Sequence, residues 1–383
     1  MSIFNGNISL KRLLIQGSCP SASSSKWLDG LKTCVFVDKR LGDDDENLGF
    51  VPMGMEMLPT LTKDNITYGK FIVASIRIDK LKLSSSRLKL ILSSRVEMRC
   101  NEEQRDFLSK AEIKEMKEEI EQELAQQSSP ETKIIELAID TRNSQILTTA
   151  GSDKDIDIVQ NLIKNSLNLD TTLLDPFTLA IKIDADKEDQ ILSASPVSLS
   201  GFESDSENES PESSASKEGS SFLTWLLHMV YHRQENATLD KGVSIMLDEE
   251  IVLEGDQATA KEISLKKGNL PSSSELKSAF NAGKLVSKIK LLVANEESQW
   301  SLSIDKHKFS LSGLKLPVGI KEVPGRKNQR EARMASMVEV FEIFDHLFQK
   351  YLVERYDESQ QWQELLIEMS HDLTGKLGLK ASA

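Results

Sequence analysis

Lysines are concentrated between residues 261 and 290, where their side chains could hold a phosphate backbone. Seven lysines stand there against two acids. An ammonium group contacts phosphate oxygens as a point charge, so this composition is typical of nucleic-acid binding without base reading. The cluster is conspicuous because the chain of 383 residues carries a net charge of −13. Its members are Lys261, Lys266, Lys267, Lys277, Lys284, Lys288 and Lys290.

Two other segments are basic. Residues 63–99 hold nine bases against three acids, and residues 305–333 hold eight bases against three acids. Acids collect elsewhere, at 43–46 and around 203–218. A polyanion is repelled by the whole chain and must be attracted locally, so we expect a basic inner surface and an acidic outer one. The residues predicted to contact DNA are Lys266, Lys267, Asn269, Lys284, Lys288, Arg87, Lys89, Arg95, Arg326 and Lys327.

Two patterns could bind a metal, and both have a more common explanation. His228 and His232 are four apart on a predicted helix, which suits zinc, but Met229 stands where the HExxH motif has its glutamate. A second pattern is acidic and could hold magnesium in a nuclease, although charged residues at a strand turn are far more common. It comprises Asp248, Glu249, Glu250, Glu254 and Asp256.

Phosphate-loop, nucleophile-elbow and dinucleotide-binding motifs are absent from the sequence. We therefore predict a protein that is not an enzyme, with no catalytic residue, metal or cofactor.

Composition indicates a soluble globular protein, with 39% hydrophobic and 28% charged residues. The longest apolar run, residues 222–230, is shorter than the ~20 residues that span a bilayer, so no membrane partner is expected. No secretory signal is visible. The cysteines Cys19, Cys34 and Cys100 lie far apart, a pattern that favours a reducing cytoplasm.

Strands and helices are mixed without strict alternation, so the predicted fold class is α+β, with mixed or antiparallel sheets. Residues 198–221 are rich in serine and acids and are predicted to be a disordered linker. The predicted domains are a central α+β domain formed by 1–78 and 133–197, an inserted helical tip at 79–132, and a C-terminal α+β domain at 222–383 that ends in long helices.

The local patterns place the basic residues on particular elements. A loop at Lys266–Asn269 joins a strand to a helix at 272–281, capped by Ser272 or Ser273, so lysines and helix N-terminus could meet one phosphate. Arg87, Lys89 and Arg95 lie on a helix that follows Ser84. An acidic helix from 102 to about 126 comes next. Arg326 and Lys327 lie in a segment, residues 324–330, predicted to be a flexible loop.

Several short motifs occur in an order that resembles the RdgC family, bacterial recombination-associated proteins that bind duplex DNA as ring-shaped dimers. They are Gly49-Phe50-Val51-Pro52-Met53, Gly69-Lys70-Phe71-Ile72-Val73-Ala74, Ala138-Ile139-Asp140-Thr141 and Ala282-Gly283-Lys284-Leu285-Val286-Ser287-Lys288. The resemblance implies a ring-shaped homodimer with DNA in its cavity. It also implies competition with RecA and a place in the cytoplasm at the nucleoid.

The resemblance also carries single residues. Lys267 occupies the position of a DNA-contacting lysine, while its neighbour, polar in the family, is Gly268. The basic, Phe-bearing hairpin tip at the ring's hinge corresponds to residues 126–131, which lack a phenylalanine and an arginine.

The leading hypothesis is thus a largely sequence-independent binder of double-stranded and also single-stranded DNA, with a second copy and RecA as protein partners. A protein-interaction scaffold that has lost DNA binding is the alternative, and a metal-dependent nuclease is the third.

Overall fold

The computed structural model describes residues 2–39, 46–58, 60–195, 197–199, 211–231, 242–255, 260–357 and 359–375. In these ranges the chain forms twelve strands and eleven α-helices. The strands are β1 (Ile8–Ile15), β2 (Glu46–Val51), β3 (Thr67–Tyr68), β4 (Phe71–Lys80), β5 (Glu131–Asp140), β6 (Gln145–Thr148), β7 (Thr171–Leu173), β8 (Ser244–Glu254), β9 (Glu262–Lys266), β10 (Leu285–Ala294), β11 (Gln299–Asp305) and β12 (Leu311–Lys315).

The helices occur between and after these strands. They are α1 (Lys26–Thr33), α2 (Lys63–Ile66), α3 (Ser85–Glu102), α4 (Lys110–Gln127), α5 (Asp153–Leu167), α6 (Pro176–Ile183), α7 (Glu188–Ser193), α8 (Pro211–Tyr231), α9 (Ser274–Asn281), α10 (Arg326–Tyr356) and α11 (Ser359–Thr374). Within the described ranges, no helix has both the length and the apolar character needed to cross a membrane.

All twelve strands belong to one antiparallel sheet, which confirms the predicted α+β class. The order is β2-β4-β5-β6-β1-β12-β11-β10-β8-β9, with β3 paired to β4 and β7 paired to β1. β1 joins the two halves, because Lys11–Leu14 pair with β6 while Ile8 and Leu10 pair with β12. The strands of the predicted central and C-terminal domains therefore share one sheet.

The two faces of this sheet carry different layers. Alternate side chains of a strand point to opposite faces, so Phe71 and Val73 of β4 join one hydrophobic core while Ile72 and Ala74 join another. The first core packs the sheet against α6 and α8–α11 and runs from β4 to β9. The second packs only the β2–β1 half, against α1, α2 and α5. The corresponding side of β8–β11 is left with mainly polar side chains, together with Met246, Val252 and Leu292.

The predicted disordered linker at 198–221 is wrong for its second half. Helix α8 begins at Pro211, and Ser214, Ala215, Glu218 and Ser221 are buried in it. These buried residues have helical spacing and continue the buried face of α8 toward its N-terminus, ahead of Phe222. The serine-rich composition of the segment concealed this helical pattern. Residues 200–210 of the predicted linker lie outside the described part, and Leu199 just before them is buried.

Glu218 explains why α8 extends so far toward its N-terminus. The buried Arg355 of α10 forms an ion pair with it (Nη1 to Oε1, 3.3 Å), and the hydroxyl groups of Tyr351 and Tyr356 donate hydrogen bonds to its carboxylate. Burying a carboxylate is costly unless it is paired and hydrogen-bonded. This arrangement ties the first half of α8 to α10, so deleting 201–219 would remove part of the core.

Helices α3 and α4 form a hairpin inserted between β4 and β5. It has a small core of its own, separate from the two sheet cores. Ser84 caps α3, and its Oγ accepts a hydrogen bond from the Arg87 backbone at 3.3 Å, as the sequence predicted. The core residues are Leu81, Leu83, Leu108, Met116, Ile120 and Leu124.

Candidate nucleic-acid interface

The polar side of β8–β11 is called the open face here, because the described helices that contact these strands pack on the other side. Ile289 and Leu291 of β10 point to the helices, so Lys288 and Lys290 between them point to the open face. The same alternation brings acids, serines and a third lysine to it. They are Asp248, Glu250, Ser264, Lys266, Ser301 and Ser303.

The open face is balanced in charge. Lys266 Nζ lies 2.9 Å from Glu250 Oε1, and Lys290 Nζ lies 3.0 Å from Asp248 Oδ2. The hydrogen bond from Lys266 lowers the pKa of Glu250, and the charges of Lys266, Lys288 and Lys290 lower it further. Glu250 therefore stays ionised at neutral pH and offsets part of the positive charge counted along the sequence.

The loop after β9 holds its lysine away from these acids. Lys267 has a positive φ of 64°, and Gly268 follows with 82°. This left-handed backbone is uncommon for a residue with a Cβ. The Lys267 backbone N–H donates to Glu249 O at 2.9 Å, which fixes the turn while the side chain stays exposed. No described acid forms an ion pair with Lys267, so its charge is available to a ligand.

Asn269 is also exposed and precedes a short 3-10 turn at Leu270–Ser272. Helix α9 begins only after that turn. Ser273 caps it, accepting a hydrogen bond from the Leu276 backbone at 3.1 Å, as predicted. Gly283, just beyond the helix, has the expected positive φ of 78°.

Lys284 is not exposed as a DNA contact requires, which argues against its predicted role. Its side chain is buried, with 4% exposed, and Nζ donates hydrogen bonds to the carbonyl oxygens of Ala260 and Lys261. Its Cγ lies 3.1 Å from the Cβ position of Gly255, so a larger residue at 255 would collide with the stem. Lys284 ties β10 to the chain just ahead of β9, a role that charge counting alone did not distinguish from phosphate binding.

Helix α3 divides into two parts. Arg87 and Lys89, in its first half, are exposed, as DNA contacts require. Arg95 instead forms a bidentate ion pair with Glu123 of α4, in which Nη1 and Nη2 donate to the two carboxylate oxygens and Nη1 lies 3.1 Å from Oε1. Because α4 folds back along α3, acids distant in the sequence neutralise the arginine.

The segment at 324–330 is partly helical, which corrects the predicted flexible loop. Helix α10 starts at Arg326, directly after Gly325 with φ 87°. Arg326 and Lys327 are exposed in its first turn. Cations there oppose the helix dipole, so their positive charge is not stabilised by the helix and favours an anionic ligand. Lys327 Nζ also lies 5.4 Å from the ring centre of Tyr68.

The tip of the α3–α4 hairpin does not lie at residues 126–131, where the family resemblance placed it. Residues 126–131 connect α4 to β5 at the base of the hairpin, whereas the turn between α3 and α4 is formed by 103–109. That turn carries Arg105 and Phe107, and Phe107 is 77% exposed. The tip therefore has both an aromatic and a basic residue. The capping box of Ser109 and Glu112 was the sequence signal that could have located it.

The three groups of cations do not form one surface within a single chain. Lys266, Lys267 and Lys288 belong to the open face and its loop. Helix α10 packs on the opposite, helix-covered side, so Arg326 and Lys327 lie across the sheet. Arg87 and Lys89 lie on the inserted hairpin.

Three of the five acids considered for magnesium binding each pair with a different lysine, and Glu249 is exposed. Asp248 pairs with Lys290, Glu250 with Lys266, and Glu254 with Lys306 at 2.8 Å; Asp256 lies outside the described residues. Among the residues described, the one grouping of three potential metal ligands is His228, Glu368 and Asp372, with ligand atoms within 4.8 Å of one another. His228 is fully buried and its Nε2 lies 3.0 Å from Asp372 Oδ2. His232, its predicted companion, is outside the described part.

Two comparisons with known proteins bear on this chain. Residues 31–186 match the family model described as "Putative exonuclease, RdgC". This stretch includes the hairpin and much of the β2–β1 half of the sheet, and it ends before β8, so the Lys266–Asn269 loop lies outside it. A search of curated proteins finds no match. Over residues 31–186, which are less than half of the chain, this match agrees with the resemblance seen in the short motifs, and the chain is similar to the RdgC family there.

Proposed function

We propose that this protein is a non-enzymatic, largely sequence-independent duplex-DNA-binding protein. The similarity of residues 31–186 to the RdgC family is consistent with a recombination-related DNA-binding role. The observation that carries the proposal is the loop after β9, where Lys267 is exposed on a fixed left-handed turn without a described acid partner. Lysines contact phosphates and not base edges, so binding should be similar on all duplex sequences.

The proposed protein clamps DNA as a homodimer. Within one chain the cations lie on separate surfaces, so a single copy presents only a few to any one duplex. A second copy would double the number of open-face lysines facing the DNA. The exposed Phe107 resembles the Phe-bearing tip that closes the ring in the family resemblance, whereas the nearby Arg105 is paired with Glu103 and Glu112.

Occupying duplex DNA would keep RecA from the same sites, which is how such a protein would modulate recombination. On this proposal the protein acts in the cytoplasm, at the nucleoid. Single-stranded DNA, which carries the same phosphates, would also be bound through the same lysines.

Titration of labelled duplexes of unrelated sequence at several salt concentrations tests the proposal, with light scattering on the same samples. Each neutralised phosphate contributes about −0.9 to the log–log salt slope, so roughly five contacts give a slope near −4 to −5. We expect this slope for every duplex and a mass of two copies. Affinity that is independent of salt would contradict binding through phosphates, and a strict monomer at micromolar concentration would contradict the clamp.

The scaffold alternative is favoured by one observation, the pairing of Lys266 and Lys290 with acids on the open face. It predicts dimerisation without measurable duplex binding in the same titration.

The nuclease alternative is tested by incubating end-labelled duplex with the protein and Mg²⁺ or Mn²⁺. We expect intact DNA, and progressive shortening would make the protein an enzyme.

A further inference from the structure

Strand β9 forms one edge of the sheet, and its sequence is complementary to itself. Among the described strands, β9 pairs with β8 alone. It spans five residues, Glu-Ile-Ser-Leu-Lys, without proline. An edge strand presents a row of backbone donors and acceptors to any strand that can align with it.

The hydrogen bonds to β8 identify which residues of β9 face outward. The Lys267 N–H donates to Glu249 O, and the Gly255 N–H donates to Lys261 O at 3.1 Å. In an antiparallel pair, residues alternate between those that bond to the neighbour and those whose N–H and C=O point away. Residues 261, 263, 265 and 267 bond to β8, so the outward backbone groups are those of Glu262, Ser264 and Lys266.

These three outward residues match a second copy of themselves. When two β9 strands align antiparallel with Ser264 opposite Ser264, Glu262 of each copy lies opposite Lys266 of the other. Opposite charges directly across a strand pair are stabilising. Ile263 and Leu265 are half-buried on the helix-covered side, and Ile263 of each copy then lies opposite Leu265 of the other. Backbone pattern, charge and apolar character all select this one register.

We propose that two copies of the chain associate by antiparallel pairing of their β9 strands, centred on Ser264. A two-fold interface uses the same patch on both copies, so its strand must be complementary to itself. Pairing with a strand of another protein would not require this self-complementarity, which is why we infer a second copy as the partner. The inference gives the proposed homodimer an interface and rests on that part of the proposed function. It does not require that the dimer bind DNA.

The paired strands would join the two open faces into one surface. Lys288 lies on β10, so five strand spacings of about 4.8 Å would separate the two Lys288 residues by roughly 24 Å. The two Lys267 loops would lie six residues apart along the strands, roughly 20 Å. Cations that are sparse on one chain would thereby be spread along a continuous face of the dimer.

A single cysteine tests the register. Residues opposite each other in a hydrogen-bonded antiparallel pair have Cα atoms about 5.5 Å apart, which suits a disulfide. Ser264→Cys is a small change at an exposed position and should form a covalent dimer on mild oxidation. Glu262→Cys is the matched control, since its counterpart in this register is Lys266. We expect covalent dimer for Ser264→Cys and none for Glu262→Cys or for the wild type with its own three cysteines.

Exchange of charges provides a second measurement. Glu262→Lys and Lys266→Glu each place like charges opposite one another twice, and should weaken the dimer about tenfold in sedimentation equilibrium. The double variant Glu262→Lys with Lys266→Glu should restore dimerisation. A wild-type dimer that neither cross-links through Ser264→Cys nor responds to charge exchange would overturn the β9 interface while leaving the proposed function standing. A wild-type monomer would overturn both the interface and the clamp, and DNA binding, measured separately, would still be judged by the salt titration.

Discussion

Helix α3 of the hairpin and the segment that contributes the open-face lysines were both predicted to be basic, and they present their charge in different ways. On the hairpin, Arg95 meets Glu123 on the neighbouring helix. On the open face, Lys266 meets Glu250 on the neighbouring strand. Each region also has cations without a described ion pair, which are Arg87 and Lys89 early in α3, and Lys288 on β10 with Lys267 after β9.

The two regions also differ in what supports them. The hairpin depends on a core of six buried residues that no sheet core shares. The open face is one side of strands whose other side belongs to the large core with α8–α11. Loss of the hairpin should therefore leave the open face folded. This difference allows the contribution of each region to DNA binding to be measured separately.

The largest expected effect is Ile120→Ala in the hairpin core. Ile120 is fully buried, and truncation of such a residue costs about 2–5 kcal/mol of folding free energy. Because the core is separate, we expect the loss to appear as local opening of α3 and α4, visible as faster hydrogen exchange and protease cleavage there. Glu119→Ala, on the exposed side of α4, is the control. Faster exchange throughout β8–β12 would show that the two regions are not independent.

A smaller effect is expected for Lys266→Glu with Lys267→Glu. Because Lys266 is already paired with Glu250, the main loss is the phosphate contact of Lys267, which should reduce the salt slope by about 1 and the duplex affinity at 0.1 M salt by roughly eightfold. The reduction should be the same for all sequences. Lys114→Glu with Lys117→Glu makes the same change of charge on the exposed side of α4 and should have little effect. Equal losses from the two double variants would mean that only the overall charge matters.

A still smaller effect is expected at the Arg95–Glu123 pair. If Glu123 already neutralises Arg95, Arg95→Gln should change duplex affinity by less than about twofold. Glu123→Gln frees the guanidinium and should raise affinity by up to about eightfold, the value of one phosphate contact at 0.1 M salt. Glu131→Gln, an exposed residue outside the hairpin helices, controls for the charge. A large loss with Arg95→Gln would show that DNA displaces Glu123.

The sequence predicted most elements of the fold because their signals are local. Ser84 and Ser273 cap helices, and alternation of apolar residues marks β10. The start of α8 was missed because serines and acids ahead of Phe222 are buried only through contact with α10, more than a hundred residues later. Such a long-range contact leaves no pattern in the segment itself.

The candidate site was harder to predict for the same reason. Lys266, Lys284 and Lys288 have the same composition around them, yet one is paired, one is buried against carbonyl oxygens and one is half-exposed. The difference comes from the strand pairing, which places Glu250 beside Lys266 and Ala260 beside Lys284. Charge counting locates a basic segment and does not show which of its lysines reach a ligand.

The smallest expected effect concerns the pH dependence of the ion pair between Glu112 and Arg105. Hydrogen bonds from Arg105 and from Ser109 lower the pKa of Glu112, at the hairpin tip, from 4.5 to about 2. A carboxyl whose pKa is lower in the folded state adds stability above its unfolded pKa and loses it as pH falls, here between about 4.5 and 2. The turn that carries Phe107 should therefore keep its structure from pH 7 to 5 and loosen below 4.5.

Carbon NMR titration of the Glu112 carboxyl, with hydrogen exchange of residues 103–112, measures this directly. Glu112→Gln keeps an acceptor for the capping box but removes the charge facing Arg105, so the turn should lose its acid sensitivity in this window. Glu115→Gln, exposed on the same helix, should leave that sensitivity unchanged. On the open face Lys266 lowers the pKa of Glu250 in the same direction. Neither pair should then open between pH 7 and 5, so a rise in DNA affinity across that interval would have to come from groups other than these two acids.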